Sequence, residues 1–253
     1  MTFATYPSLD GASVYITGGA SGIGAEIVKA FADQNSKIGF IDFDQTNGEK
    51  LTNELRSNGV DIHFEFCDLR DIEASRAAFK KLEDTLGPAR VLVNNAARDD
   101  RHQWQDVTPE YYDERIATNL RHMFFSIQSV APGMIEAGGG SIINFGSVSW
   151  WVKRGGMPVY TTSKAAIHGM TRSFARDLGP HRIRVNTVVP GWIMTERQKE
   201  LWVTPEGLEE ARKEQCLPDL IDPVYPARMV LFLASDDAAM CTANNYMVEA
   251  GMI

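Results

Sequence analysis

The 253 residues carry thirty-three acidic against twenty-five basic side chains, a formal net charge of −8. That balance opposes the approach of nucleic acid or an anionic membrane surface, and no stretch supplies the ~20 apolar residues of a membrane span. Residues 1 to 10 hold no basic segment followed by an apolar run, so the expectation is a cytoplasmic protein that acts on a small molecule.

Length and the lack of a linker, charge block or repeat predict one domain, residues 1–253. The cysteines, Cys67, Cys216 and Cys241, are odd in number and far apart, so buried free thiols are expected and neither a disulfide framework nor a zinc site. The five histidines form no HExxH or similar pair, and no catalytic metal is expected.

In chain order, strand-like runs fall at Ser13 to Thr17, Lys37 to Asp42, Ile62 to Cys67, Val91 to Asn95, Ser141 to Phe145, Ile183 to Val189 and Asn245 to Glu249. Helical spacing lies between them, as in Ile116, Leu120, Met123, Phe124, Ile127 and Val130, opened by Thr108 as N-cap with Pro109 in the first turn. Alternation of this kind predicts an α/β fold: a doubly wound parallel, Rossmann-like sheet with helices on both faces. Ligands in such a sheet sit beyond the carboxyl ends of the strands.

After the first strand comes Thr17-Gly18-Gly19-Ala20-Ser21-Gly22-Ile23-Gly24, leading into a helix over Ala25 to Ala32. Gly18 allows a tight turn, Gly22 lets backbone approach a pyrophosphate, and Gly24 lets the helix pack close to the sheet. Asp42 ends the second strand, where a carboxylate accepts from an adenosine ribose and repels the extra phosphate of NADP, so NAD is the expected cofactor.

Tyr160 and Lys164 stand four apart at the start of a helix read as Ser163 to Leu178, so both point the same way. An ammonium beside the phenol is expected to lower its pKa and fit it for acid/base work. Ser147 follows the strand ending at Phe145, placed to hydrogen-bond a substrate oxygen.

This set resembles the short-chain dehydrogenase/reductase family over essentially the whole chain, through TGGASGIG, YTTSK, Asp68 in CDL, Asn94 to Ala97, Asn119 in TNL, and Pro190-Gly191 followed by Thr195. The resemblance implies Tyr160 as acid/base, Lys164 as its modulator and ribose ligand, Ser147 as oxygen partner and Asn119 as completing a proton relay. It further implies Asp68 and Leu69 around adenine, Asn95 and Ala97 lining the cofactor, and Ile193 and Thr195 on the carboxamide side. Two departures stand out. Ala97 replaces a glycine, which tightens the space there or strains the backbone, and Glu249-Ala250-Gly251 replaces Asp-Gly-Gly, which touches strand geometry and assembly.

A closer resemblance within that family is to bacterial NAD-dependent aldose 1-dehydrogenases, especially those acting on xylose or galactose, through NAARDDRH, DERIATNLRHMFF, GGGSIINFGSVSW and SDDAAMCT. The likeness implies oxidation of an aldose at C1 to the aldonolactone. Asp99, Asp100, Ser149 and Trp150 join Ser147 and Tyr160 as candidate sugar contacts. The alternatives are a solvated turn for the aspartates and loop packing for Trp150 and Trp151. Glu196 to Pro218, with Trp202, is read as a lid. Apolar helical faces at Ile116 to Met134 and Ala165 to Leu178 resemble those through which family members form homotetramers. Other readings are oxidation of another secondary alcohol, a polyol or an oxoacyl substrate, or a non-catalytic dinucleotide sensor.

Overall fold

Seven strands form one fully parallel sheet in the order β3-β2-β1-β4-β5-β6-β7. The computed structural model describes residues 2–253. The strands are β1 (Ser13–Thr17), β2 (Lys37–Asp42), β3 (Ile62–Phe66), β4 (Val91–Asn94), β5 (Gly140–Phe145), β6 (Ile183–Pro190) and β7 (Asn245–Val248). All seven expected strands are present, with ends shifted by one residue at five of them.

Alternation along each strand builds two cores. Val14 and Ile16 of β1, Val91 and Val93 of β4, and Ile143 and Phe145 of β5 face one layer of helices. That layer contains α1 (Gly22–Ala32) and α9 (Val224–Ala234). Tyr15, Leu92 and Ile142 point the opposite way, toward α3 (Ile72–Leu86), α5 (His122–Glu136) and α6 (Pro158–Leu178). Ile16, Val93 and Ile143 are wholly buried, each contributing about 1.5–3 kcal/mol by leaving water. α2 (Gln45–Ser57) joins β2 to β3, and no helix among the described residues is long and apolar enough to cross a membrane.

Strand order reverses between β1 and β4, and the two loops that leave those strands diverge to opposite sides, opening a crevice at their carboxyl ends. Two helices differ from expectation. The run opened by Thr108 is α4 (Pro109–Ile116), a π-helical turn at Ala117–Arg121, and then α5. Within that turn the Asn119 side-chain amide donates to the Arg115 carbonyl at 3.0 Å, so a side chain takes over a backbone bond. α6 begins at Pro158, five residues ahead of the expected Ser163, which places Tyr160 in its first turn.

Candidate active site

The glycine turn after β1 is held by sterics. Gly18 has φ +70°, and a Cβ there would lie 2.7 Å from the Ala96 Cα. At Gly24 a Cβ would meet the Gly18 carbonyl oxygen at 1.8 Å, so α1 presses on the turn without room for a side chain. Asn95 locks the same turn by donating from Nδ2 to the carbonyls of Thr17 (3.2 Å) and Gly18 (2.9 Å).

Asp44, Asp71, Thr108, Thr195 and Thr204 each cap a helix with a side-chain oxygen, whereas Ser21 does not cap α1. Ser21, Gly22, Ile23 and Gly24 line a cleft of about 1140 Å³, so the first N–H groups of α1 and the positive end of its dipole are left for an anionic ligand. A dinucleotide pyrophosphate fits that donor set.

Asp42 is buried at the end of β2 and lines the cleft. Its Oδ2 accepts from the Ala20 N–H at 2.9 Å and its Oδ1 from the Asp44 N–H at 3.0 Å. Burial raises its pKa and those N–H donors oppose the rise. Asp68 and Leu69 line the same end. The Asp68 carboxylate is paired with the Arg70 guanidinium, which holds it below the usual carboxylate range.

At the far end, Ser147 leaves β5 while Tyr160 and Lys164 rise from α6, and all three line the cleft. Buried amides set α6 against the sheet: Asn94 Nδ2 donates to Asn144 Oδ1 (2.9 Å), Asn144 Nδ2 to Thr171 Oγ1 (3.0 Å), and Thr171 and Thr187 share a bond (2.8 Å). Ser147 Oγ accepts from the Ser149 N–H at 3.1 Å and bonds the Tyr160 hydroxyl.

The expected acidification of Tyr160 by Lys164 is not what the geometry produces. Lys164 Nζ lies 5.6 Å from the Tyr160 ring centroid and donates to the Phe145 carbonyl at 2.7 Å. Tyr160 is half-buried, and the surrounding protein desolvates its hydroxyl. Burial raises the Tyr160 pKa above the ordinary phenol value, the Asp99 charge adds to it, and the Ser147 bond opposes it. Burial brings Lys164 down to about 7, with Asp99 opposing.

The other expected residues divide. Asn95, Ala97, Asp99, Ser149, Pro190, Gly191, Ile193 and Thr195 line the cleft. Asn119, Asp100 and Trp150 do not. Asn119 is fully buried, with Oδ1 accepting from the Arg98 N–H at 2.8 Å, so its carboxamide braces the loop after β4. The Asp100 carboxylate is spent on Arg115, Arg197 (2.8 Å) and Arg98 (3.3 Å). Trp150 donates from Nε1 to His168 Nε2 at 3.0 Å and stacks on Trp151 at 3.7 Å between centroids, which is loop packing. The segment read as a lid holds α7 (Glu196–Leu201) and α8 (Pro205–Glu214), whose Arg197, Gln198 and Glu210 line the cleft.

Sequence comparison bears on what this arrangement is. The family profile described as "Enoyl-(Acyl carrier protein) reductase" matches residues 18–253. The chain is 49% identical over 251 residues to the D-xylose 1-dehydrogenase of Caulobacter vibrioides (strain NA1000 / CB15N), covering 99% of both chains. It is 45% identical over 251 residues to the "Probable galactose dehydrogenase GalD" of Rhizobium meliloti (strain 1021), covering 98% of this chain and 97% of the other. The chain belongs to the short-chain dehydrogenase/reductase family. This dehydrogenase also superimposes on a blue fluorescent protein from a metagenomic library, solved with NADPH, with TM-score 0.89 and 33% identity over 97% of this chain and 99% of that one.

Both departures from the family pattern have a clear structural outcome in this dehydrogenase. Ala97 is not among the residues with positive φ, so the added methyl strains no backbone. Ala250, by contrast, has φ +60°. Glu249 and its neighbours form the turn after β7, where the Glu249 carboxylate accepts from the Met252 and Ile253 N–H groups. Of the cysteines only Cys67 is buried; Cys216 is exposed and Cys241 intermediate, because Cys216 follows α8 on the surface.

Three contributors in the dehydrogenase escaped the sequence reading. Thr17 Oγ1 accepts from the Asn95 N–H at 3.1 Å, His122 Nε2 lies 3.1 Å from the Ala96 carbonyl oxygen, and His102 Nε2 accepts from Val159 at 3.3 Å. Each stood inside a motif, Thr17 at the head of the glycine turn, His102 in the polar run Arg98 to His102 and His122 in DERIATNLRHMFF, but nothing in the motifs pointed to these bonds.

Proposed function

We propose that this oxidoreductase oxidises an aldose at C1 with NAD, giving the aldonolactone. The observation that carries the reading is one continuous cleft holding the uncapped α1 N-terminus, the buried Asp42 carboxylate and the Ser147, Tyr160 and Lys164 side chains. The two named sugar dehydrogenases at 45–49% identity support the substrate class.

Gly18, Ser21, Gly22, Ile23 and Gly24 would hold the pyrophosphate, Asp42 the adenosine ribose, Asp68 and Leu69 the adenine, and Asn95, Ala97, Pro190, Gly191, Ile193 and Thr195 the nicotinamide half. A nicotinamide held by those residues would supply the acceptor for the hydride that leaves C1 with its electron pair. As phenolate, its own proton having left through Lys164 and solvent, Tyr160 would take the proton of the anomeric hydroxyl while the C1–O bond becomes the lactone carbonyl, and Ser147 would donate to that oxygen. Lys164, brought to about 7, exchanges protons near neutrality, where a partner to Tyr160 is useful. The reading places Asn119 on the relay as the brace of its loop.

Asp99 and Ser149 are the remaining sugar-side groups. Asp99 Oδ2 accepts from Gln198 Nε2 at 2.8 Å, so it also ties the proposed lid to the loop after β4. The same reading takes the enzyme as cytoplasmic and homotetrameric; the exposed Phe124 on α5, 5.1 Å from Phe174 of α6, supports association through those helices. The test is NADH absorbance on incubation with NAD and a panel of pentoses, hexoses, polyols and secondary alcohols. Turnover confined to aldoses supports the reading; turnover with polyols or secondary alcohols and none with aldoses overturns it.

A further inference from the structure

The helix that carries Tyr160 and Lys164 has no cap of its own. Met157 occupies its N-cap position without a side-chain bond, and Pro158 follows. An uncapped helix start leaves N–H groups without partners. One of them, that of Val159, donates to His102 Nε2 at 3.3 Å from 57 positions away in the chain.

The imidazole has further ties. His102 Nδ1 lies 3.1 Å from the Asp100 carbonyl oxygen and 3.1 Å from the Tyr111 hydroxyl, and the rings of His102 and Tyr111 meet edge to face at 5.2 Å. The His102 N–H donates to the Gly156 carbonyl at 2.8 Å. Because a backbone N–H can only donate, Nε2 is the acceptor, and the neutral ring carries its hydrogen on Nδ1 toward the Asp100 carbonyl. One half-buried side chain thus fastens the first turn of α6 to the loop after β4 and to α4.

We propose that His102 is a positioning residue for catalysis: a cap supplied from the β4 loop that sets the height of Tyr160 over the cleft. The proposal rests on the reading of Tyr160 as the proton-transfer residue.

The test compares His102→Leu, His102→Gln and Tyr160→Phe with wild type, using the sugar or alcohol that the substrate panel identifies. H102L lowers kcat by roughly ten- to a hundredfold, the scale of a misplaced catalytic group, while the NADH dissociation constant read by fluorescence stays within about twofold. H102Q, whose Oε1 accepts the same N–H, recovers most of that loss. An H102L enzyme with full kcat overturns the proposal, as does an H102Q enzyme that recovers none of the loss; if H102L does not fold, kcat of H102Q against wild type decides, a near-wild-type value being expected and a loss of about tenfold or more overturning it. Turnover by Y160F overturns the reading of Tyr160 separately.

Discussion

The Ala20 N–H donates to the Asp42 carboxylate at 2.9 Å, tying the glycine turn after β1 to the end of β2. The second carboxylate oxygen accepts from Asp44, so neither can swing away from an incoming ligand. A like charge brought against it costs several kcal/mol. The fold itself accommodates NADPH in a relative, and the preference proposed here rests on this fixed carboxylate.

The expected result is a kcat/KM for NAD above that for NADP by about a hundredfold or more. Asp42→Ala should narrow the ratio by about tenfold or more. Steady-state kinetics with both cofactors check this, and equal values in wild type would remove the role given to Asp42.

Lys164 gives a prediction for stability. Burial brings it from 10.5 to about 7. Between those values the unfolded chain holds a proton that the folded chain lacks, so this group makes stability rise with pH across that window. Below pH 7 both states hold the proton and the cost of burying the charge is present in full. Lys164→Met should therefore melt several degrees above wild type at pH 7, with the gap closing as the pH approaches 9.5. Parallel curves of Tm against pH for the two proteins would contradict it.

The residues that sequence reading handled well carry local signals. Gly18 and Gly24 announce a turn with no room for Cβ, and the short apolar runs of β1, β4 and β5 announce strands buried on both faces. What was not legible depends on partners distant in the chain. The spacing of Tyr160 and Lys164 put them on one face of a helix, but the Phe145 carbonyl that draws Nζ away comes from another strand. Burial then reverses the expected direction for Tyr160. Trp150 and Asp100 left the cleft for the same kind of reason, since His168 and Arg197 claim them from other helices.

Ala250 offers a gain in stability. It sits at φ +60°, while its carbonyl accepts from Cys216 at 2.9 Å and Leu217 at 3.1 Å, so the backbone cannot relax. Left-handed backbone costs an L-residue about 1–2 kcal/mol, and glycine gives back about half in chain entropy. Ala250→Gly should stabilise by about 0.5–1 kcal/mol, raising Tm by about 1–4 °C with turnover retained. A lower Tm would show that the turn is held for another reason.

The central claim is that Tyr160, next to Ser147 and at the nicotinamide end of the cleft, handles the proton of the reacting hydroxyl. The most direct measurement is turnover of Tyr160→Phe with NAD and an aldose, alongside NADH binding by fluorescence. The account predicts that kcat falls by roughly a hundredfold or more while NADH binding persists. A Y160F enzyme that turned over at the wild-type rate with NADH still bound would contradict it.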